Sequence, residues 1–126
     1  MAREVDFFII VVPLTPETRG MVGIEVMSAM KPTTFLLNLA RGAVVDEKAL
    51  IRALESRTIA GAGLDVFNEE PLPQGHPFWE MKNAIVTPHI GGTSTFYAGQ
   101  VLPIFQENLR RYLRGERHTL INVVRL

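Results

Sequence analysis

Short apolar runs alternate with segments of helical periodicity along this chain, and that alternation restricts the fold more than any other feature of the sequence. The first run is DFFIIVVP at residues 6–13, and its β-branched residues are typical of a strand that is covered on both faces. The next segment, MVGIEVMSAM at residues 21–30, has apolar residues at helical spacing and ends before Lys31 and Pro32. This order predicts a strand followed by a short helix.

The middle of the chain continues the pattern with a second strand and a second helix. The segment TFLLNLA at residues 34–40 is predicted to be a buried strand, and the RGA after it a turn. The segment DEKALIRALESR at residues 46–57 is predicted to be a helix with Asp46 as its N-cap. Its core-facing residues are predicted to be Leu50, Ala53 and Leu54.

Two further strands complete the predicted sheet. The first is IAGAGLDVF at residues 59–67, where Gly61 and Gly63 indicate the close approach of another backbone. The second is AIVTPHI at residues 84–90, after a proline-rich loop. Because strands and helices alternate, the expected fold is α/β, with a parallel sheet of about four strands and crossover helices.

The C-terminal region is predicted to be one long helix over residues 94–114, with Gly115 as its stop signal. Its apolar stripe consists of Val101, Phe105, Leu109 and Tyr112. Pro103 is predicted either to kink this helix or to mark its start. The tail TLINVVRL, residues 119–126, is predicted to be a short strand or extended segment.

The composition restricts the function classes open to the chain. Its 126 residues suit one compact domain, and 47% hydrophobic against 21% charged residues is a globular balance. With 13 basic and 13 acidic residues, the charge gives no attraction to nucleic acid or membrane, so a small molecule or a protein is the expected partner. The absence of cysteine excludes disulfides and thiolate metal sites, and no metal site is predicted. No apolar run approaches the roughly 20 residues of a membrane span, so a cytoplasmic protein is expected.

Polar residues follow each of the four predicted strands. They occupy residues 13–18, 38–42, 65–70 and 87–93. Ligands of parallel α/β sheets bind outside the C-terminal ends of the strands. Arg41, Asp65, Glu70 and His89 are therefore predicted to converge at one edge of the sheet.

Five segments in a fixed order resemble a known family. They are VPLTPETRG, NLARGAVVDEKAL, GAGLDVFNEEPLP, HPFWEMKNAIVTPHIGG and a final helix ending in INVV. From about Val5 onward, the chain resembles the D-isomer-specific 2-hydroxyacid dehydrogenases, which include phosphoglycerate dehydrogenase and glyoxylate or hydroxypyruvate reductases. The resemblance implies hydride transfer between a nicotinamide cofactor and a 2-hydroxy or 2-oxo acid. It also implies half of a doubly wound, Rossmann-like domain.

The resemblance assigns roles to individual residues. It implies that Arg41 holds the substrate carboxylate and carbonyl, that His89 is the acid/base, and that Glu70 is the carboxylate partner of His89. The residues that it implies for the nicotinamide side of the cofactor are Pro13, Thr18, Leu39, Ala40, Arg41, Asp65, His89, Gly91 and Gly92. These residue types suit the chemistry, because reduction of a 2-oxo acid places negative charge on the carbonyl oxygen and needs a nearby cation and a proton donor.

Structural interpretations of the same residues stay open. A histidine at a strand end is more often a capped or solvated residue than a catalyst. Arg41 is also typical of a turn, and Glu70 of a solvated loop. His76 and His118 are predicted to be loop and tail residues, and Trp79 is predicted to anchor a loop on the core.

The family's glycine-rich phosphate loop and its separate substrate domain are missing from the sequence. The 126 residues contain no GxGxxG, and no acidic residue follows such a loop to hold the adenosine ribose. The chain is therefore expected to be a single partial domain over residues 1–126, the second half of a dinucleotide-binding domain. It is expected to bind NAD(H) or NADP(H) weakly or not at all and to be inactive alone. A truncated gene, a split half and an excised half-domain all agree with this expectation.

The missing half of the sheet leads to three hypotheses about function. A homodimer or a complementing chain is expected to cover the exposed sheet edge and apolar surface. The chain is then an enzyme of the family completed in trans, a folded self-associating module without cofactor binding, or a weak nicotinamide-side binding module completed by another chain. The sequence does not fix the 2-hydroxy acid or the choice of NAD or NADP, although HPFWEM is similar to glyoxylate or hydroxypyruvate reductases.

Overall fold

A computed structural model describes residues 1–124, and its elements follow the order predicted from the sequence. The strands are β1 (Phe7–Ile10), β2 (Phe35–Asn38), β3 (Gly61–Leu64) and β4 (Ala84–Val86). The helices are α1 (Ile24–Ser28), α2 (Glu47–Glu55) and α3 (Tyr97–Leu113), with 3-10 turns at Gly42–Val44, Pro77–Trp79 and Arg117–Thr119. None of the helices in this part of the chain is long and apolar enough to span a membrane.

The four strands form one parallel sheet in the order β1-β2-β3-β4. Phe8 lies beside Leu36, Leu36 beside Ala62, and Ala62 beside Ala84. Since every strand points the same way, the loops after all four strands leave from the same edge of the sheet. The predicted α/β fold with a parallel sheet, crossover helices and a long C-terminal helix is confirmed.

Only one face of the sheet carries the hydrophobic core. Ile10, Leu36 and Leu64 on that face are buried together with residues of α1 and α2. The opposite face is largely exposed, and its exposed apolar residues are Phe7, Ile9, Phe35 and Ile85, whereas Leu37 on the same face is half-buried. The prediction that the first strand is covered on both faces is therefore wrong, because the core formed with α1 and α2 lies on the other face alone.

Helix α2 forms as its sequence predicts. The Oδ1 atom of Asp46 accepts a hydrogen bond from the backbone N–H of Ala49 at 3.0 Å, which confirms the N-cap. The predicted core residues Leu50, Ala53 and Leu54 are all buried. The start of this helix is thereby fixed next to the loop that leaves β2.

Helix α1 is shorter than predicted, with five residues. It begins at Ile24 because Val22 is extended and forms a parallel bridge with Val45. The N–H of Val22 donates to the carbonyl of Val44, and the N–H of Asp46 donates to the carbonyl of Val22. These bonds hold the start of the predicted helix in an extended conformation.

The two glycines of β3 differ in their surroundings. A Cβ atom at Gly61 would lie 2.7 Å from the carbonyl oxygen of Asn83, so the predicted close backbone approach is confirmed there. At Gly63 the nearest neighbour of such an atom is the side chain of Leu37 at 3.6 Å, an ordinary contact. The prediction is therefore wrong for Gly63.

The chain divides into two compact units, one comprising Met1–Gly91 and one beginning at Gly92. Helix α3 forms about half of the second unit, and none of its side chains is buried. Pro103 lies inside the helix, so it does not mark the helix start. Gly115 ends the helix as predicted, with a φ of 78° and an N–H that donates to Tyr112 O.

The tail after α3 contains no strand as far as Val124, so the strand alternative of the prediction is wrong over this range, and the extended segment stays a prediction. The backbone of Ile121 in this tail is hydrogen-bonded by the side chain of Asn108 and not by a neighbouring strand. The Nδ2 atom of Asn108 donates to the carbonyl oxygen of Ile121 at 2.9 Å, and its Oδ1 accepts from the N–H of Ile121 at 2.8 Å. Residues 125 and 126 of the predicted strand lie outside the described residues.

Candidate functional site

A histidine and a carboxylate are paired at the C-terminal edge of the sheet. His89 lies in the loop after β4, and Glu70 lies in the loop between β3 and β4. The Nδ1 atom of His89 is 2.7 Å from the Oε2 atom of Glu70. The His89 side chain is 43% exposed, so the imidazole is held on one side and open to a ligand on the other.

The backbone of His89 has an unusual conformation that Asp65 stabilises. His89 has a φ of 54°, which residues other than glycine rarely adopt. Directly after it, the N–H of Ile90 donates to Asp65 Oδ1 at 3.0 Å and the N–H of Gly91 donates to Oδ2 at 2.7 Å. The hydroxyl of Thr87 also donates to Oδ1. Asp65 thus fixes the turn that directs His89 toward Glu70.

Opposing influences determine the pKa of Asp65. Burial is the largest single influence and raises the pKa, because it disfavours the charged form. The opposing influences are the Thr87 hydroxyl, the N–H groups of Gly91 and Ile90, and a positive charge on His89. Together they outweigh burial and lower the pKa of Asp65, so this buried residue is a carboxylate at neutral pH.

Glu70 is also held as a carboxylate by its neighbours. Its Oε1 atom accepts from the N–H of Phe67 at 2.9 Å, and its Oε2 atom is paired with His89. The hydrogen bond with His89 is the largest cause that lowers the pKa of Glu70, followed by the Phe67 N–H. Partial burial raises the pKa, and the charges of His89 and Arg41 add smaller lowering effects.

Arg41 follows β2 in an extended conformation that Asn38 stabilises. The buried Asn38 side chain accepts from the N–H of Ala40 at 3.1 Å and donates to the carbonyl oxygen of Arg41 at 3.0 Å. The Arg41 side chain is exposed at the surface, and its charge acts on Glu70. The structure thus brings Arg41, Glu70, Asp65 and His89 together at the predicted edge.

A cavity of about 580 Å³ lies beside the His89 and Glu70 pair. Its lining residues are Phe67, Glu70, Pro71, Leu72, Trp79, Val86, Thr87, Pro88 and His89. Trp79 is 51% exposed, and its Nε1 donates to the carbonyl oxygen of Pro73 at 2.9 Å. The prediction that Trp79 anchors the loop on the core is wrong, because the buried anchor is the neighbouring Phe78.

The sequence profile described as "D-isomer specific 2-hydroxyacid dehydrogenase, NAD binding domain" matches residues 1–91. The chain belongs to the D-isomer specific 2-hydroxyacid dehydrogenases. A glyoxylate reductase of Pyrococcus furiosus is 48% identical over 122 residues, which are 95% of this chain and 36% of that protein. A glyoxylate/hydroxypyruvate reductase B of Pectobacterium atrosepticum is 50% identical over 116 residues, 92% of this chain and 36% of that one.

Solved structures of 2-hydroxyacid dehydrogenases share this fold. A D-isomer specific 2-hydroxyacid dehydrogenase from Xanthobacter autotrophicus Py2, in complex with NADPH and MES, has a TM-score of 0.87 and 42% identity. The match covers 98% of this chain and 50% of that one. An NADPH-dependent glyoxylate/hydroxypyruvate reductase from Sinorhizobium meliloti has a TM-score of 0.80 and 30% identity, over 90% of this chain and 37% of that one. The chain thus spans between about a third and a half of the length of these dehydrogenases.

A second cavity of this chain is lined by several of the residues predicted for the cofactor. It has a volume of about 620 Å³ and is lined by Val11, Val12, Pro13, Leu14, Leu39, Ala40 and Arg41. Thr18 lies outside the lining, but its hydroxyl donates to the carbonyl oxygen of Pro13 at 2.7 Å and so stabilises the wall. Gly91 does not line this cavity, and its N–H donates to Asp65 Oδ2. Gly92 is the first residue of the second unit.

Three residues of the candidate site had no predicted role there. Asn38 orients the loop of Arg41, and Glu47 contacts His76 at the end of the loop that carries Glu70. A polar residue inside the apolar run that forms β2 was the available signal for Asn38. His76 is in a loop as predicted, but its ring is only slightly exposed. His118 lies in the 3-10 turn after α3.

Proposed function

We propose that this chain carries the proton-transfer and carboxylate-binding residues of an NAD(P)-dependent 2-hydroxyacid dehydrogenase. The reaction passes hydride between the nicotinamide and a small 2-oxo acid of the glyoxylate or hydroxypyruvate type, the substrates for which the relatives are named. The observation that supports this proposal is the 2.7 Å pair of His89 Nδ1 and Glu70 Oε2. A histidine oriented by a carboxylate is an arrangement that suits general acid/base catalysis.

The three proposed catalytic residues have separate roles. With Nδ1 donating to Glu70, the Nε2 atom of His89 is left to give a proton to the carbonyl oxygen during reduction and to take it back during oxidation. The ionised Glu70 accepts a hydrogen bond from Nδ1 and so fixes the orientation of the imidazole. Arg41 supplies a permanent positive charge and a planar set of donors that match the substrate carboxylate. Asp65 acts through the backbone by holding the turn of His89.

The residues of the chain fit one end of the cofactor. The cavity at Pro13, Leu39, Ala40 and Arg41 has the apolar walls and adjacent backbone groups that a nicotinamide ring with its amide requires. When bound, the cofactor supplies or accepts the hydride. The 126 residues contain no glycine-rich loop that could bind the pyrophosphate of the cofactor. We therefore assign phosphate binding to residues that this sequence does not include. The 126 residues form the second half of a dinucleotide-binding domain in this proposal, and turnover requires the other half.

The first prediction concerns the ionisation of the proposed pair. Replacing His89 with glutamine is expected to raise the pKa of Glu70, because the hydrogen bond with His89 is the largest influence that lowers it. Carboxyl-carbon NMR of the labelled chain measures this pKa directly in the wild type and the variant. His118→Gln is the matched control, since it removes a histidine from the second unit and is expected to leave Glu70 unchanged. An unchanged Glu70 titration in His89→Gln would contradict the acid/base proposal.

A second candidate function is that of a self-associating module, which the exposed sheet face favours. Phe7, Ile9, Phe35 and Ile85 form an apolar surface on that face, and the rings of Phe7 and Phe35 stack with their centroids 6.0 Å apart. An apolar surface of this kind marks an interaction site in many proteins. A homodimer is the simplest assembly that covers it, because two copies of the same face are used.

The dimer is testable by multi-angle light scattering of the purified chain. We expect twice the mass of one chain, and we expect Ile85→Lys on the exposed face to shift the population to monomer. Met21→Lys is the control, since Met21 is exposed outside the sheet. A compact, concentration-independent monomer would refute self-association.

Calorimetric titration with NADH separates the two candidate functions. Micromolar binding, with glyoxylate turnover that His89→Ala abolishes, would show that dimers of this chain assemble a complete catalytic site. No heat at millimolar NADH, together with a stable dimer, would favour the self-associating module. Weak saturable binding without turnover is the result expected of a nicotinamide-side site that another chain completes.

A further inference from the structure

Glu47, the first residue of α2, lies between the two ends of the loop that carries Glu70. We call residues 68–76 the Glu70 loop. At its beginning, the N–H of Asn68 donates to Glu47 Oε2 at 3.4 Å. At its end, the Nε2 atom of His76 is 3.4 Å from Glu47 Oε1. One carboxylate therefore contacts both ends of the loop.

His76 is itself fixed in one orientation. Its Nδ1 atom accepts from the N–H of Phe78 at 3.3 Å, and its ring centroid lies 4.7 Å from that of Phe78. Because Nδ1 is an acceptor, the neutral ring carries its proton on Nε2, the atom that faces Glu47. Phe78 is 2% exposed, so the far end of the Glu70 loop is attached to the core.

The contact at Asn68 is directly connected to the proposed catalytic pair. Phe67, the residue before Asn68, donates its N–H to Glu70 Oε1 at 2.9 Å. The other oxygen of Glu70 is paired with His89. A displacement of the Asn68 backbone therefore moves the Phe67 N–H and, through it, the carboxylate of Glu70.

We propose that Glu47 is a positioning residue that holds both ends of the Glu70 loop against the start of α2 and thereby keeps Glu70 within hydrogen-bond distance of His89. This inference rests on the proposed function of the Glu70 and His89 pair. Glu47 does not touch the reacting atoms in this arrangement, and it acts through the loop. Its contribution is geometric, because two contacts on one side chain fix the distance between the ends of the loop.

A different role for Glu47 has to be separated from this one. An acidic residue in the first turn of a helix stabilises the helix through its charge alone. Glu47→Asp keeps the charge and shortens the side chain, so it retains the helix effect and loses the reach to Asn68 and His76. Glu47→Gln keeps the length and one acceptor oxygen but removes the charge. A positioning role therefore predicts a larger effect in Glu47→Asp than in Glu47→Gln, whereas a charge effect on the helix predicts the reverse.

The experiment measures the titration of Glu70 and the amide hydrogen exchange of Phe67 and Asn68 in the full chain. A positioning role is expected to raise the pKa of Glu70 in Glu47→Asp and Glu47→Ala, and less in Glu47→Gln. Exchange at Phe67 and Asn68 is expected to accelerate in the Asp and Ala variants on the order of tenfold. Glu55→Gln, which removes the same charge at the other end of α2, is the matched control and is expected to change neither quantity.

Each outcome decides between the roles. The reverse order, with the aspartate variant like wild type and the glutamine variant impaired, would overturn the inference in favour of a charge effect on the helix. Wild-type titration and exchange in all three variants would also overturn it. If the alanine variant does not fold, the aspartate and glutamine variants still give the comparison. A shift of Glu70 in His89→Gln without one in the Glu47 variants rejects only the positioning role, whereas no shift in His89→Gln rejects the proposed function.

Discussion

Replacing Gly42 with alanine is expected to lower the free energy of unfolding of the first unit by at least about 3 kcal/mol. The new Cβ atom would lie 2.0 Å from the carbonyl carbon of Phe67, 2.1 Å from its oxygen and 2.5 Å from the backbone nitrogen of Asn68. All three are backbone atoms, so no side-chain rotation relieves the overlap. Urea unfolding followed by circular dichroism measures the loss.

The same substitution tests how the two catalytic loops are joined. Gly42 directly follows Arg41, and Phe67 and Asn68 lead into the Glu70 loop. An alanine Cβ that pushes residue 42 away from Phe67 and Asn68 would also move Arg41 away from Glu70. Gly75→Ala is the matched control, because no atom lies within 4 Å of its added Cβ and its φ is not positive; a change within about 0.5 kcal/mol is expected there. Wild-type stability of Gly42→Ala would mean that these loops do not pack together.

The architecture and the edge that carries the site could be predicted from local sequence patterns. Apolar runs and helical periodicity are properties of neighbouring residues, so they indicated four strands, α2 and α3 without knowledge of tertiary contacts. The parallel arrangement then placed the residues after each strand at one edge. Arg41, Asp65, Glu70 and His89 are found at that edge for this reason.

The contacts that orient these residues could not be predicted, because they join residues far apart in the sequence. Asp65 bonds to the backbone of Ile90 and Gly91, and Glu47 bonds to that of Asn68. A backbone N–H is the same chemical group at every position, so the sequence contains no local signal for its partner. The φ of 54° at His89 has the same origin, since it results from the fold of the turn on Asp65.

The burial of the strands was mispredicted for a different reason. A continuous apolar run shows that both faces of a strand are apolar, and burial depends on what packs against each face. In β1 the residues Phe8 and Ile10 face the core, whereas Phe7 and Ile9 do not. The run was therefore correct evidence for a strand and insufficient evidence for two covered faces.

Replacing Asp65 with asparagine is expected to lower the free energy of unfolding by about 3 kcal/mol, because charged hydrogen bonds contribute about 1.5–3 kcal/mol each. The carboxylate is 4% exposed and accepts from two backbone N–H groups and the Thr87 hydroxyl. An amide has one acceptor oxygen and a donor NH₂ group, so at least one of the N–H groups of Ile90 and Gly91 loses its partner. Urea unfolding measures the loss of stability.

The asparagine variant should also affect His89 and Glu70. The Asp65 carboxylate stabilises the φ of 54° at His89. Without it, the backbone of His89 is expected to relax and its imidazole to move away from Glu70. The pKa of Glu70 is then expected to rise, since its largest lowering influence is lost. Asp46→Asn is the matched control, because asparagine caps a helix as well as aspartate does.

The stabilisation by Asp65 has a defined pH dependence. The pKa of Asp65 is lowered in the folded protein, so its contribution is fully present above the unfolded value of about 3.9 and is lost as the pH falls through the folded value. The stability difference between wild type and Asp65→Asn is therefore expected to be constant near neutral pH and to shrink below about pH 4. A difference that stays constant to the acid limit of folding would mean that the pKa of Asp65 is the same in the folded and the unfolded chain, so that its ionisation contributes no net stability. In that case the turn of His89 would depend on the Asp65 side chain's shape and not on its charge.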